Sequence, residues 1–121
     1  MNLKGWAGFP KLKTSFHLPD KVAEIQSRIS DKNIIARGNG RSYGDAAIGA
    51  TSTVSMKKFN KVNFFDENTG ELVAEAGLLL KDVIKMFLPK GWFPYVTPGS
   101  KLVTIGGMVA ANVHGKNQHK D

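Results

Sequence analysis

A short apolar segment that runs directly into a glycine-rich loop constrains this chain more than any other feature. Residues 33–36 (Asn-Ile-Ile-Ala) predict a buried strand, and residues 37–45 (Arg-Gly-Asn-Gly-Arg-Ser-Tyr-Gly-Asp) follow without a break. Glycines at 38, 40 and 44 permit positive φ angles, so successive backbone N–H groups can point into one concavity that holds phosphate oxygens. The loop therefore predicts a phosphate-binding turn. A turn that is rich in glycine for backbone reasons alone stays an alternative, because an isolated glycine pattern is a weak signal.

The two commonest phosphate-binding folds do not fit this loop. A dinucleotide-binding βαβ turn requires an apolar helix directly after it, and residues 46–51 (Ala-Ala-Ile-Gly-Ala-Thr) do not supply one. A P-loop requires Gly-Lys-Ser or Gly-Lys-Thr, which does not follow here. If the loop binds phosphate, it does so in another fold.

The residues before the loop predict an irregular arm and one helix. Residues 1–19 show little periodicity and are interrupted by prolines and glycines. Asp20 then precedes Val22, Ile25 and Ile29, which have helical spacing. This pattern predicts a capped amphipathic helix of about three turns.

The residues after the loop predict a strand, a hairpin and two further helices. Residues 51–56 indicate a strand, and residues 62–65 and 71–76 flank the turn-forming residues 66–70 as a hairpin. An apolar stripe predicts the next helix: Leu80, Val83, Ile84, Phe87 and Leu88, ended by Pro89 and Gly91. After another strand, a small-residue helix begins at Thr104. This order predicts an α+β fold with a small mixed sheet flanked by helices.

A second glycine-containing segment precedes and opens the last helix. It comprises Pro98-Gly99-Ser100 and Thr104-Ile105-Gly106-Gly107. Adjacent glycines at a helix start let a flat ligand or a diphosphate approach backbone N–H groups, and the helix dipole favours an anion there. Close packing of the helix against a sheet is the alternative, and taken alone it explains this segment better. Together, the two glycine-rich segments suggest one extended phosphorylated ligand held from two sides.

Charge and composition leave two non-enzymatic interpretations open. The 121 residues have a net charge of +7, which favours anionic partners, and no cysteine, which excludes disulfides and thiolate chemistry. A basic nucleic-acid-binding module is one alternative, prompted by the aromatic residues Trp6, Phe9, Trp92 and Phe93. These residues do not alternate with basic ones as a stacking platform requires, so no nucleic-acid partner is predicted. A structural module with degenerate glycine loops is the other alternative.

The chain ends in a basic, polar cluster that contains His114, Lys116 and His119. The two histidines are five residues apart with no carboxylate in a zinc-ligand arrangement, so no metal site is predicted. His114 is instead a candidate proton carrier or orienting residue at the reactive end of a ligand.

Three segments together resemble the N-terminal FAD-binding (PCMH-type) domain of vanillyl-alcohol-oxidase-type flavoproteins. They are ARGNGRSYGDA (36–46), TPGS (97–100) and TIGGMVAANVHGKN (104–117), and the resemblance extends over residues 33–121. Within that superfamily the chain is most similar to the branch of decaprenylphosphoryl-ribose 2′-oxidases and related FAD-linked sugar oxidases. The resemblance implies the first subdomain of the FAD-binding fold over residues 20–121, after an arm at 1–19.

The resemblance also implies which residues bind FAD and which face the substrate. Around the pyrophosphate it places Ala36, Arg37, Gly38, Asn39, Gly40, Arg41, Ser42, Tyr43, Gly44, Asp45 and Ala46. Elsewhere along FAD it places Gly99, Ser100, Thr104, Ile105, Gly106, Gly107, Ala111, Asn112, Val113 and His114. Tyr43, His114 and Lys116 are expected to face the substrate as catalytic residues. Many superfamily members attach FAD covalently through a histidine of the first loop, where this chain has Arg41, so the cofactor is expected to be non-covalent.

By resemblance, the complete protein oxidises a secondary alcohol of a sugar or of a lipid-phosphate-linked sugar and transfers hydride to FAD. The remaining half of the FAD-binding domain and a substrate domain are expected to follow residue 121. We therefore expect the 121-residue chain alone to have no oxidase activity and to bind FAD weakly or not at all. Without a signal sequence or an apolar membrane span, we expect a cytoplasmic location, and the positive charge is compatible with peripheral association with a membrane.

Overall fold

The computed structural model describes residues 1–8, 11–30 and 33–111. The chain divides into two compact units, Met1–Phe59 and Asn60–Asp121, which are described separately. Within the described ranges, the longest helix has eight residues, and none is long and apolar enough to cross a lipid bilayer.

The first unit begins with a short hairpin. Strands β1 (Asn2–Lys4) and β2 (Lys11–Lys13) pair antiparallel, with Leu3 opposite Leu12. The structure thus differs from the irregular arm predicted for residues 1–19. Each strand has three residues and a single apolar side chain, so hydrophobic alternation is too short to reveal it. The domain boundary at residue 20 stays a prediction.

A three-stranded parallel sheet forms the centre of the first unit. It contains β3 (Ser15–His17), β4 (Ile34–Arg37) and β5 (Ser52–Ser55) in the order β3-β5-β4. The strands predicted at 33–36 and 51–56 are therefore confirmed, and β5 lies between the other two. The burial predicted for the first is wrong, because β4 is an edge strand whose residues are all partly or fully exposed. The glycine-rich loop leaves from the carboxyl end of β4, an edge strand of this sheet.

The central strand β5 is fully buried although three of its four residues are polar. The hydroxyl of Thr53 is hydrogen-bonded to the hydroxyl of Thr14 at 2.9 Å and accepts the N–H of Gly49 at 2.9 Å. A Cβ at Gly49 would overlap the carbonyl oxygen of Ser52. Small side chains with satisfied hydroxyl groups therefore let the return segment from the glycine-rich loop pack tightly against the sheet.

The first helix is shorter than predicted. Helix α1 (Val22–Gln26) has five residues, and its N-cap is Lys21 without a side-chain hydrogen bond, so the three-turn helix capped by Asp20 is wrong. Val22 and Ile29 are 60% and 71% exposed. Because these two apolar side chains are largely exposed, little tertiary contact supports a longer helix.

The second unit opens with the predicted hairpin. Strands β6 (Val62–Phe65) and β7 (Leu72–Ala74) pair antiparallel. In the turn, the Asp66 carboxylate accepts the backbone N–H groups of Asn68 and Thr69, and Gly70 has φ +78°. The turn chemistry of residues 66–70 thus fixes the hairpin as the sequence predicted.

Helix α2 (Leu80–Phe87) packs its apolar stripe on this hairpin. Leu78, Val83 and Phe87 form the buried cluster, and the ring of Phe65 stacks on that of Phe87 with centroids 4.1 Å apart. The chain continues as a 3₁₀ turn over Leu88–Lys90 and reverses at Gly91, whose φ is +85°. The helix and its proline–glycine end are confirmed.

Helix α3 (Ile105–Ala110) begins at Thr104, as predicted. The described residues between α2 and α3 contain no strand, so the strand predicted there is wrong. Residues 101–104 instead bond to the start of α2: the N–H groups of Leu80 and Lys81 donate to the carbonyls of Val103 (2.9 Å) and Lys101 (2.8 Å). Within these described residues, β pairing is limited to one isolated antiparallel bridge, between Leu79 and Thr104.

Candidate functional site

The glycine-rich loop turns sharply where it leaves β4. Gly40 has φ +69° and Gly44 has φ +63°, a left-handed conformation that other residues rarely adopt. Ala36 and Arg37 lie on β4 before the turn, and Ile48 is buried where the chain returns toward the sheet. The predicted loop residues Ser42, Tyr43, Gly44, Asp45 and Ala46 are all exposed, Tyr43 at 69%.

The loop leaves a series of backbone N–H groups without protein acceptors. Within the described residues, these are the N–H groups of Gly38, Gly40, Arg41, Ser42, Tyr43 and Gly44. Two backbone carbonyls of the loop accept hydrogen bonds: Ser42 accepts the N–H of Trp6 at 2.8 Å, and Asp45 accepts that of Ile48 at 3.0 Å. These carbonyls brace the loop backbone while the N–H groups named above stay open to a ligand.

Arg37 is part of this bracing. Its guanidinium donates to the carbonyl of Ala47 at 3.2 Å and to the carbonyl of Lys4 at 3.2 Å. Burial lowers the pKa of Arg37, since a charged group loses hydration there. Arg37 therefore ties both ends of the loop to the hairpin, and its contact with a ligand stays a prediction.

Arg41, unlike Arg37, makes no hydrogen bond within the described residues. Its guanidinium carbon lies 4.1 Å from the centre of the Trp6 ring, in cation–π geometry. Its Nε is buried and has no hydrogen-bond partner within the described residues. A buried donor without an acceptor costs about 1–3 kcal/mol, so an acceptor arriving in this place would be favoured.

A cavity of about 470 Å³ lies between the loop and the N-terminal hairpin. The loop contributes Arg37, Asn39, Gly40 and Arg41, and the hairpin contributes Lys4 and Gly5-Trp6-Ala7-Gly8. Small-molecule sites span about 300–1,000 Å³, so the volume suits part of a cofactor. The sequence analysis missed the hairpin residues; the available signal was a tryptophan flanked by glycines between two lysine-containing segments.

An anion of the diphosphate type fits these residues. The left-handed glycines leave backbone N–H groups open without a side chain at Cβ, and the buried Nε of Arg41 is a further donor without an acceptor within the described residues. Charge-assisted hydrogen bonds from such donors to phosphate oxygens are stronger than neutral ones.

The second glycine-containing segment is arranged differently. Its first N–H groups are already used inside the second unit: Ile105 donates to Leu78 at 2.9 Å, Gly106 to Ala76 at 2.9 Å, and Gly107 to the Thr104 hydroxyl at 3.2 Å. The start of α3 therefore offers no open N–H cluster. Gly106 serves close packing, because a Cβ there would lie 3.0 Å from the Cβ of Ala76.

The other predicted residues lie at the surface or outside the described residues. Gly99 is exposed with open space around it, and the Ser100 hydroxyl accepts the N–H of Leu102 at 3.1 Å. Ala111 is the exposed C-cap of α3. Asn112, Val113, His114 and Lys116 lie outside the described residues. The structure therefore brings together the predicted residues of the glycine-rich loop within the first unit. The predicted residues at and before α3 belong to the second unit.

Of the aromatic residues that prompted the nucleic-acid alternative, the two tryptophans take part in packing, Phe93 is 57% exposed, and Phe9 lies outside the described residues. Trp6 contacts Arg41, and Trp92 lies edge-on to Phe65 with centroids 6.1 Å apart. A Cβ at Gly70 would collide with the Trp92 ring. No observation therefore favours a base-stacking surface built on these two tryptophans.

Comparison with known proteins identifies a matching family. A family model described as an FAD binding domain matches residues 16–121. The chain is 35% identical over 105 residues to the decaprenylphosphoryl-beta-D-ribose oxidase of Mycolicibacterium smegmatis, which covers 84% of this chain and 23% of the relative. It is 32% identical over 100 residues to a D-lactate dehydrogenase of Anaerostipes hadrus, covering 79% of this chain and 21% of the relative. The chain thus spans less than a quarter of the length of these curated relatives.

Solved structures share the fold. An alkyldihydroxyacetonephosphate synthase superposes with a TM-score of 0.69 at 22% identity, over 83% of this chain and 21% of the other. A cholesterol oxidase from Brevibacterium sterolicum superposes with a TM-score of 0.68 at 18% identity, over 94% and 24%.

Proposed function

The chain belongs to the family of FAD-binding domains, and from that premise we propose that it is the cofactor-binding part of an FAD-linked oxidoreductase whose loop 36–46 holds the FAD diphosphate. The predicted α+β fold of the FAD-binding type is confirmed, and so is FAD as the cofactor. The activity, the substrate and the residues in contact with FAD belong to the proposal.

The observation that supports the loop as the diphosphate site is its set of open donors. In the part of the chain that the structure describes, six residues between 38 and 44 have N–H groups without a protein acceptor, whereas the N–H groups of Ile105, Gly106 and Gly107 are all used internally. A diphosphate needs several hydrogen-bond donors at once. The loop N–H groups supply them without breaking a hydrogen bond of the fold. The buried, unpaired Nε of Arg41 adds a charged donor.

FAD binding by this loop is proposed to be non-covalent. The described loop contains no histidine, and by the resemblance Arg41 stands where covalent members of the superfamily have one. Because a guanidinium is a planar cation with fixed N–H donors, Arg41 is proposed to be an electrostatic partner for phosphate oxygens and not a nucleophile.

The residues of the second unit are proposed to contact FAD by shape. With the first N–H groups of α3 already used and Gly106 packed on Ala76, the exposed Gly107 and Gly99 offer surfaces without side chains. FAD supplies the hydride-accepting chemistry when bound. In this proposal Tyr43, His114 and Lys116 act on the substrate, and His114 is its proton carrier or orienting residue.

The proposed substrate is a secondary alcohol of a sugar, free or linked to a lipid phosphate. The relative of Mycolicibacterium smegmatis, named an oxidase of decaprenylphosphoryl-beta-D-ribose, supports it. Other relatives are named for D-lactate and for D-arabinono-1,4-lactone. The choice of a sugar alcohol therefore rests on the higher sequence identity of the first relative.

Ligand titration of the 121-residue chain tests the cofactor site. Backbone amide resonances are followed by NMR while FAD, ADP or riboflavin is added. We expect FAD and ADP, bound weakly by the chain alone, to shift the resonances of residues 38–46, and riboflavin, which has no phosphate, to leave them unchanged. Equal shifts with riboflavin would contradict a diphosphate site in this loop. Flavin that stays bound in equal amount to protein through gel filtration would contradict weak binding by the chain alone.

A further inference from the structure

The N-terminal hairpin lies outside the span of the family match and yet contacts the diphosphate loop. The match begins at residue 16, whereas β1, β2 and their connection end at Lys13. Three contacts join the hairpin to the loop within the first unit. Each of them involves a residue of 4–6, directly after or at the end of β1.

The three contacts hold different parts of the loop. The Lys4 carbonyl accepts from Arg37 Nη2 at 3.2 Å, and the Trp6 N–H donates to the Ser42 carbonyl at 2.8 Å. The Trp6 ring lies under the Arg41 guanidinium at 4.1 Å. One short segment therefore holds the loop at its first residue, Arg37, and at its middle, Arg41 and Ser42.

The Trp6 ring orients Arg41, the loop arginine whose hydrogen-bond donors are unused within the described residues. Arg41 makes no hydrogen bond within the described residues, so the face of the Trp6 indole is what restricts its guanidinium plane. The buried Nε has no acceptor, although Arg41 lines the cavity of about 470 Å³. An indole under a guanidinium leaves the N–H edges of the cation available for an anion, since the ring engages only its face.

We propose that Trp6 is a positioning residue for cofactor binding: the N-terminal hairpin presents the Arg41 guanidinium to the diphosphate by stacking it on the Trp6 ring. This inference rests on the proposed diphosphate site in the loop. It adds to that site a second wall, made by residues 4–8, which the family match does not include.

The test measures ADP affinity and the Arg41 side chain together. ADP is titrated into the 121-residue chain and into the variants Trp6→Leu and Trp6→Phe, with detection of the arginine Nε–H resonances by NMR. Loss of a cation–π contact weakens binding by about two- to fivefold, so we expect that loss for Trp6→Leu and a partial recovery for Trp6→Phe. Phe64→Leu, at a half-exposed aromatic residue of the second unit, is the matched control and keeps the original affinity.

A double-mutant cycle separates positioning from general stability. Arg41→Lys keeps the charge but removes the planar group, and in its background Trp6→Leu is expected to cause no further loss of affinity. Additive losses would overturn the inference. Amide spectra show whether each variant is folded; if Trp6→Leu does not fold, Trp6→Phe and Arg41→Lys complete the same cycle.

The two hypotheses fail in different ways. If ADP shifts the loop and the Arg41 Nε–H resonance in the original chain but Trp6→Leu binds equally well, only the positioning role is refuted. If ADP shifts neither resonance in the original chain, the diphosphate site itself is refuted, and the positioning role with it.

Discussion

The guanidinium of Arg37 occupies the space into which a side chain at Gly40 would project. A Cβ built on Gly40 would lie 2.6 Å from Arg37 Nη2, the atom that donates to the Lys4 carbonyl. The first arginine of the glycine-rich loop and its second glycine are therefore fitted to each other. Gly40 serves both the positive φ angle and the close approach of Arg37.

Gly40→Ala is expected to destabilise the first unit more than Gly44→Ala. Both residues have positive φ, and an alanine there costs about 1–2 kcal/mol. A Cβ at Gly44 has no neighbour within 4 Å, whereas at Gly40 it displaces Arg37 from its hydrogen bonds. Displacing Arg37 should add about 1 kcal/mol. The free energies of unfolding in urea are compared, and equal losses for the two variants would refute the fit between Gly40 and Arg37.

Arg37 and Arg41 are predicted to have separable roles. Arg37→Lys loses the two-carbonyl contact and is expected to lower the free energy of unfolding by about 1 kcal/mol, a modest value because the side chain is half-exposed. Arg41→Lys breaks no hydrogen bond within the described residues and should instead weaken ADP binding. Urea denaturation and ADP titration of both variants check this. The opposite pattern, with Arg37→Lys impaired mainly in binding, would contradict the bracing role.

The effect of Arg37→Lys is predicted to be independent of pH near neutrality. Burial lowers the pKa of Arg37, so the unfolded chain holds this proton more tightly than the folded one. Stability would then rise with pH only where the guanidinium loses its proton, far above neutral pH. The difference in unfolding free energy between the two proteins should therefore stay constant from about pH 6 to pH 9. A slope in that interval would point to another titrating group.

Thr53→Val is predicted to be among the most destabilising of the substitutions in the first unit that keep the size of the side chain. Valine matches the shape of threonine, but it leaves the Gly49 N–H and the Thr14 hydroxyl without their shared partner. Two unsatisfied buried groups cost about 2–4 kcal/mol. Thr51→Val, at an exposed residue just before β5, is the control and should change stability by less than about 0.5 kcal/mol. Thermal and urea unfolding give both values.

Much of the fold could be predicted because its elements have strong local signals. The stripe of Leu80, Val83 and Phe87 and the turn chemistry of residues 66–70 fix α2 and the β6–β7 hairpin within the sequence itself. Strands β1 and β2 could not be predicted, since three residues are too few for a period-two pattern. Helix α1 shows the reverse: Val22 and Ile29 have helical spacing, but both side chains are largely exposed.

For the site, the sequence identifies the donor-rich loop but not which of its groups are open. The glycines at 38, 40 and 44 predict a concave backbone, and the structure has the donors unengaged there. Gly106 and Gly107 give an equally good sequence signal, yet their N–H groups are already used. The N–H groups of Gly106 and Gly107 are used because Ala76 and Thr104 accept them. The first contact joins two segments and the second lies within a helix cap, and composition reveals neither.

Gly106→Ala is predicted to destabilise the second unit, whereas Gly107→Ala is not. A Cβ at Gly106 would lie 3.0 Å from the Cβ and 3.2 Å from the carbonyl oxygen of Ala76, so α3 must shift away and stretch the Gly106 N–H hydrogen bond to that same carbonyl. Overpacking of this kind costs about 1–3 kcal/mol. Gly107 is exposed, and its only close neighbour would be the Thr104 hydroxyl at 3.3 Å. There a gain of up to about 1 kcal/mol in helix propensity offsets the contact. Urea unfolding of the two variants decides the matter, and a Gly106→Ala variant as stable as Gly107→Ala would show that this glycine does not serve packing and would favour direct contact with FAD as its role.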